Sequence, residues 1–137
     1  MKIRYLATLD NINESDLAEG FFEGWPDPPS YANFMRLLHG SSRVVLAVDE
    51  SSGKVIGFIN ALSDGVLSAY IPLLEVIPMY QGNGIGQELV RRMLELLEGH
   101  YMVDLMCDAE LGGFYEKIGM RPSGGMILRN YKNQSGM

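Results

Sequence analysis

The run YQGNGIGQELV, residues 80–90, sets Gly82, Gly84 and Gly86 within five residues and then opens an amphipathic segment. Ile85, Leu89, Val90, Met93, Leu94, Leu96 and Leu97 recur there at helical spacing, and residues 66–77 before the glycines read as a strand. A strand that feeds a glycine loop and then a helix offers several unpaired amide N–H groups to an anion, backed by the positive end of the helix macrodipole. Glycine allows a phosphate to come closer to the main chain than a β-carbon would permit, and it supplies positive φ. A plain tight turn would use the same residues. A P-loop is excluded because Gln87 and Glu88 follow Gly86 where lysine and a hydroxyl are required. The alternating glycines also lack the dinucleotide spacing, and no βαβ unit with an acidic residue follows.

Other chemistries find little support. His39 and His100 are not spaced as a metal pair, and both sit near helix ends where imidazoles cap carbonyls; no metal is expected. The single Cys107 excludes an internal disulfide and a cysteine zinc site. A formal net charge of −6 without a dense basic cluster argues against nucleic acid. No apolar run is long enough to cross a bilayer, so no membrane partner and a cytoplasmic location are expected.

At 137 residues the chain reads as one domain over 1–132 with a loose tail over 133–137. Residues 2–6 suit a first strand. Asn13 to Asp16 suit the capped start of a short helix reaching Phe22, and a second helix is predicted from Ser30 to Gly40. Residues 43–48 and 54–62 form a hairpin pattern, and residues 66–77 a third strand in which Pro72 removes a ladder donor and calls for an edge, bulge or splay. After the glycine loop and its helix come a strand over 101–107, a short helix over 111–118 and a last strand over 125–131. The order β-α-α-β-β-β-α-β-α-β implies a mixed α/β (α+β) fold with about four helices on one sheet. Nine methionines, among them Met79, Met93, Met102, Met106, Met120 and Met126, read as adaptable core filling.

The segment Val76-Ile77-Pro78-Met79-Tyr80-Gln81-Gly82-Asn83-Gly84-Ile85-Gly86 resembles the acyl-CoA-binding signature of the GNAT N-acetyltransferase superfamily, Gln/Arg-x-x-Gly-x-Gly/Ala. Gln81, Gly84 and Gly86 fill its three defining positions. The later stretch from Asp108 to Met120 is similar to the family's Asn-x-x-Ala-x-x-Phe-Tyr-x-x-x-Gly-Phe helix, with Asp108 standing where Asn is usual. The resemblance implies a mainly antiparallel sheet with a splayed pair of strands, and acetyl-CoA as co-substrate.

By that resemblance the amides of Gln81, Gly82, Asn83, Gly84, Ile85 and Gly86, with Gln87, hold the pyrophosphate. Main-chain groups around Leu74 and Val76 would meet the pantetheine arm, with Asp108 close to it, and one N–H would stabilise the oxyanion of transfer. Tyr115 matches the family's general acid, although helix-to-core packing beside Leu111 and Ile118 is its plainer role. Glu75 is a base candidate, acting directly or through water, or else an outward carboxylate. Phe21, Phe22, Glu23 and Trp25 lie where the acceptor would enter, as aromatic walls or as core. The implied partner is a small-molecule amine, arylalkylamine or polyamine-like. A protein lysine or N-terminal amine, and a non-catalytic acyl-CoA-binding module, are the alternatives. Family members are often dimers, so a homodimer is admissible.

Overall fold

A computed structural model describes residues 1–136, which leaves the last residue of the expected tail, Met137, outside the described residues. Six strands form one mixed, mainly antiparallel sheet: β1 (Ile3–Leu6), β2 (Arg43–Asp49), β3 (Lys54–Ser63), β4 (Ser68–Ile71), β5 (Leu74–Val76) and β6 (Met102–Leu105). The spatial order is β1-β2-β3-β4-β6, with β5 also on β3; all pairs are antiparallel except β4 with β6. Among the described residues, three α-helices pack on this sheet: α1 (Tyr31–Gly40), α2 (Ile85–Leu96) and the short α3 (Gly112–Glu116).

The two long helices are where capping chemistry and periodicity put them. The Ser30 side chain accepts from the Asn33 N–H to start α1, whose Phe34, Met35 and Leu38 are buried. In α2, Ile85, Leu89, Val90 and Met93 form the buried stripe, while Glu88 pairs with Arg91 and Arg92 on the outer side. Phe34 packs on Phe58 with ring centroids 4.9 Å apart, and the neighbouring Gly57 faces Leu89 of α2. Successive residues of a strand point to opposite faces, so α1 and α2 cover opposite sides of the sheet.

Three expected elements differ. The first helix shrinks to one 3-10 turn, Glu14–Asp16, closed by a reciprocal capping box with Asn13. Leu17 then bridges Val55 in parallel and the Ala18 N–H donates to the Val55 carbonyl at 3.0 Å, so pairing with the sheet overrides local helix propensity. The strand expected over 66–77 divides at Pro72 into β4 and β5. The strand expected over 125–131 does not form: those residues lie exposed, and only a 3-10 turn, Tyr131–Asn133, follows. Beyond it the Asp27 N–H donates to Gln134 Oε1 at 2.8 Å and Asn33 Nδ2 to the Ser135 carbonyl at 3.0 Å, which draws the chain end onto α1. Of the methionines, Met93 is buried as expected, but Met79, Met102, Met106 and Met126 are exposed.

The division at Pro72 is a β-bulge. Tyr70 faces Leu62 and Leu74 faces Ile59, so four residues advance on one strand while three advance on β3. Buried Asn60 bridges the irregularity: its N–H donates to the Leu73 carbonyl at 3.2 Å, its Oδ1 accepts from the Leu73 N–H at 3.1 Å, and its Nδ2 donates to Ser41 Oγ at 3.0 Å. Asn60→Ala strands the Leu73 N–H beside a void and removes one donor from Ser41 Oγ, which keeps its bond to the Leu37 carbonyl, and should cost about 1–3 kcal/mol in a urea titration. A loss below a few tenths of a kcal/mol would show that Asn60 does not hold the bulge.

Candidate active site

Beyond the bulge, β5 stays on β3 and parts from β6. The β4–β6 ladder ends at Ile71 opposite Leu105, so a notch opens between β5 and the segment Met106, Cys107 and Asp108. Leu73 exchanges hydrogen bonds with Asn60, and the Ile77 N–H donates to the Ile56 carbonyl at 3.0 Å. Alternation in an antiparallel pair then turns the backbone groups of Leu73, Glu75 and Ile77 toward β3 and those of Leu74 and Val76 away from it, into the notch. The Val76 carbonyl is taken by Gln81 Nε2 at 2.8 Å. Both groups of Leu74 and the Val76 N–H therefore stay available to a ligand lying in the notch.

At the top of the notch, a 3-10 turn, Pro78–Tyr80, leads into the glycine loop. Tyr80 donates its hydroxyl to Asp49 Oδ2, and this bond, with those from Ser51, holds the Asp49 carboxyl below the usual carboxylate range. The loop is thereby pinned to the β2–β3 hairpin. Asn83 Nδ2 donates back to the Tyr80 carbonyl at 3.0 Å, and Gly84 occupies the N-cap of α2 with φ 77°. An L-residue there is strained by about 1–2 kcal/mol. Among the described residues, no acceptor engages the amides from Gly82 to Gln87; the first α2 amide to bond is Glu88, to the Gly84 carbonyl at 3.1 Å. Six adjacent unpaired N–H groups at a helix N-terminus form an anion cradle. Gly86 has 3.9 Å between an ideal Cβ position and both Phe114 and Val76, so α3 closes over the start of α2 and a methyl would fit.

Glu75 points to the α1 face, as does its cross-strand partner Phe58. Its Oε1 accepts from the Phe22 N–H at 2.8 Å, and burial raises its pKa above the usual carboxylate value. Phe22 has φ 60°, an uncommon conformation for a bulky residue, and this bond fixes it. Phe21 and Phe22 are buried against Phe34 and Phe58 and so belong to the core; Trp25, half-buried with its ring 5.0 Å from Phe22, and exposed Glu23 remain on that face.

Tyr115 lies on the other wall. Its ring is buried against Phe114, and its hydroxyl bonds no protein group among the described residues. Burial first, and the nearby Cys107 second, raise its pKa. Asp108 is exposed, and its side chain caps nothing in the turn that follows, Ala109–Leu111. No direct contact joins Glu75 and Tyr115; they approach the notch from β5 and α3. His100 bonds the Leu97 carbonyl and Ser63 at the opposite end of the sheet, and no group of three or more metal-ligating side chains occurs among the described residues. Sequence reasoning missed Asn60 and Asp49. An isolated Asn in an apolar strand and an Asp before a serine pair were the only signals.

The Acetyltransferase (GNAT) family pattern matches residues 11–120. The fold superposes on a crystal structure from Deinococcus radiodurans R1, provisionally named an acetyltransferase, with a TM-score of 0.93 and 47% identity, covering 98% of this chain and 93% of that one. A relative in Prochlorococcus marinus, called an uncharacterized N-acetyltransferase ycf52-like, is 30% identical over 131 residues, covering 92% of this chain and 72% of its own. The uncharacterized N-acetyltransferase ycf52 of Porphyra purpurea is 27% identical over 123 residues, covering 87% and 71%.

Two substitutions test the bond from the Phe22 N–H to Glu75. Glu75→Ala leaves the Phe22 N–H unpaired and should lower stability by about 1–3 kcal/mol, whereas Glu75→Gln keeps an acceptor and should lose less than half as much. Equal losses in chemical denaturation would contradict the brace.

Proposed function

Because the chain belongs to the Acetyltransferase (GNAT) family, we propose that it moves the acetyl group of acetyl-CoA onto the nitrogen of a small primary amine. Family membership makes it an acetyltransferase; the acceptor is the finer reading. The observation that carries the cofactor assignment is the continuity of the notch, with its free Leu74 and Val76 groups, into the unpaired amides of Gly82 to Gln87. This donor set fits the two ends of acetyl-CoA: amides for a pyrophosphate and strand-like backbone for a pantetheine.

Acetyl-CoA supplies a thioester, whose C–S bond breaks as the C–N bond forms. The Val76 N–H is oriented to stabilise the negative charge that gathers on the carbonyl oxygen. Glu75, made more basic by burial, removes the amine proton, directly or through water. Tyr115 keeps its phenol protonated and offers it to the departing sulfur. The acceptor enters on the α1 face, where Trp25 and Glu23 provide a ring and a carboxylate for a cationic amine. That pairing favours an arylalkylamine or polyamine-like compound over a peptide, which would need a longer exposed groove. No described helix is long and apolar enough to cross a membrane.

Gly84→Val should weaken acetyl-CoA binding at least tenfold by calorimetry, since a β-branched residue is strained at φ 77° and would distort the loop that presents the amides. Unchanged affinity would sink the loop assignment. Tyr115→Phe should reduce kcat about 10²–10⁴-fold with little change in acetyl-CoA affinity. For Glu75, activity should fall as pH drops through its raised pKa, because protonation removes the base; Glu75→Gln should abolish that acid limb and lower kcat while staying folded. A Glu75→Gln enzyme with normal kcat would leave Glu75 only its bond to Phe22. Thiol release from acetyl-CoA across a panel of amines, including lysine peptides, checks the acceptor class, and fastest turnover with a peptide would overturn the small-amine reading.

A further inference from the structure

Cys107 is the one cysteine of the chain, and it is exposed. The acyl-transfer chemistry argued above gives its thiol no task, yet its place in the sheet is particular. β4 and β6 run parallel, with Ser68 opposite Met102 and Ile71 opposite Leu105. Continued for two residues, that register sets Cys107 across the notch from Leu73, or from Leu74 once the extra residue of the bulge is counted. Tyr115 marks the same place independently. It is only 9% exposed and its hydroxyl bonds no protein group, although no fully buried side-chain oxygen or nitrogen among the described residues lacks a partner. The hydroxyl is therefore the part of this side chain that reaches open space. Cys107 acts electrostatically on that phenol, so thiol and hydroxyl lie within reach of each other's charge. An exposed thiol and a free phenol thus face one opening at the level of Leu74, and the opening leads to the unpaired amides of Gly82 to Gln87. A coenzyme A with its pyrophosphate on those amides and its pantetheine along Val76 and Leu74 ends in its sulfur beside Cys107.

We propose that Cys107 is a modification site for coenzyme A disulfide, which leaves one CoA on the protein as a mixed disulfide lying in the notch. The assignment rests on the acetyl-CoA reading of the loop and notch. In the exchange, the Cys107 thiolate attacks one sulfur of the bound disulfide. The bond from Cys107 Sγ to CoA sulfur forms as the S–S bond of the reagent breaks, and the second CoA departs as a thiolate that takes up the proton Cys107 gave up. The reagent is itself the species reduced, so no further oxidant enters the balance. Selectivity comes from the amide cradle. Glutathione disulfide carries the same reactive bond but no pyrophosphate, so it meets Cys107 only from bulk solution. A CoA held at the loop presents its sulfur at a raised effective concentration. Once attached, the CoA excludes acetyl-CoA from the notch, and transfer stops until a thiol reduces the mixed disulfide.

Incubation of the 137-residue chain with coenzyme A disulfide or with glutathione disulfide, followed by intact-mass spectrometry without reductant, tests this. The chain should gain one CoA about tenfold or more faster than it gains one glutathione. Saturating acetyl-CoA should slow the CoA addition to the glutathione rate, and dithiothreitol should reverse it. Cys107→Ser should gain neither group. Gly84→Val should bring CoA addition down to the glutathione rate while glutathione addition stays as in the wild type, a readout independent of turnover. Equal rates for the two disulfides in the wild type, or CoA addition that acetyl-CoA does not slow, would overturn the assignment by making Cys107 an ordinary surface thiol. Calorimetry with acetyl-CoA tells two failures apart. Equal rates in a chain that binds acetyl-CoA overturn the role of Cys107 alone, and equal rates in a chain that does not bind it overturn the loop assignment as well.

Discussion

Everything at the site depends on one extra residue. The bulge at Pro72 and Leu73 lets β5 remain bonded to β3 while it parts from β6, and it reverses which residues turn their backbone groups outward. Without it, the β4 ladder would run on and the groups of Leu74 and Val76 would be consumed by a neighbouring strand. Leaving backbone groups unpaired is costly when they are shielded from water, so such an opening persists only where the surroundings fix it. Asn60 does so from within the core, acting on Leu73 with its backbone N–H and side-chain oxygen and on Ser41 with its amide nitrogen.

The two ends of the notch are held by separate means. The glycine loop is tied to β5 through Gln81 and to the β2–β3 hairpin through Tyr80 and Asp49, which leaves its amides, rather than its side chains, free for a ligand. On the opposite face, Glu75 links the notch to the aromatic turn by its bond to Phe22. One carboxylate thus fixes the aromatic turn, and it is the group proposed above to take the amine proton. A buried carboxylate with a single donor is less stabilised as an anion than one fully hydrogen-bonded, and this is the condition that makes it basic.

Much of this was legible in the sequence. The helices over 31–40 and 85–96 carried caps and stripes strong enough to survive tertiary packing, and Pro72 marked the place where a strand must break. Gln81, Gly84 and Gly86 marked the loop whose amides stay unpaired, although a tight turn would use the same residues and only the family resemblance pointed to an acyl-CoA ligand. What stayed hidden depends on long-range partners. The run after Asn13 looked helical until Val55 claimed Leu17 and Ala18, and no local pattern shows that Phe21 and Phe22 turn fully inward while Trp25 stays half-buried. Residues 125–131 read as a strand by composition, but a strand exists only with a neighbour, and none of the described strands pairs with them.

The notch and the loop amides are proposed to form one continuous acetyl-CoA site. Amide chemical-shift mapping of the labelled protein, titrated with acetyl-CoA, tests it residue by residue. The largest changes are expected at Leu74, Val76 and the amides from Gly82 to Gln87, saturating together with one affinity. Changes centred elsewhere, or loop amides that move while Leu74 and Val76 do not, would contradict it.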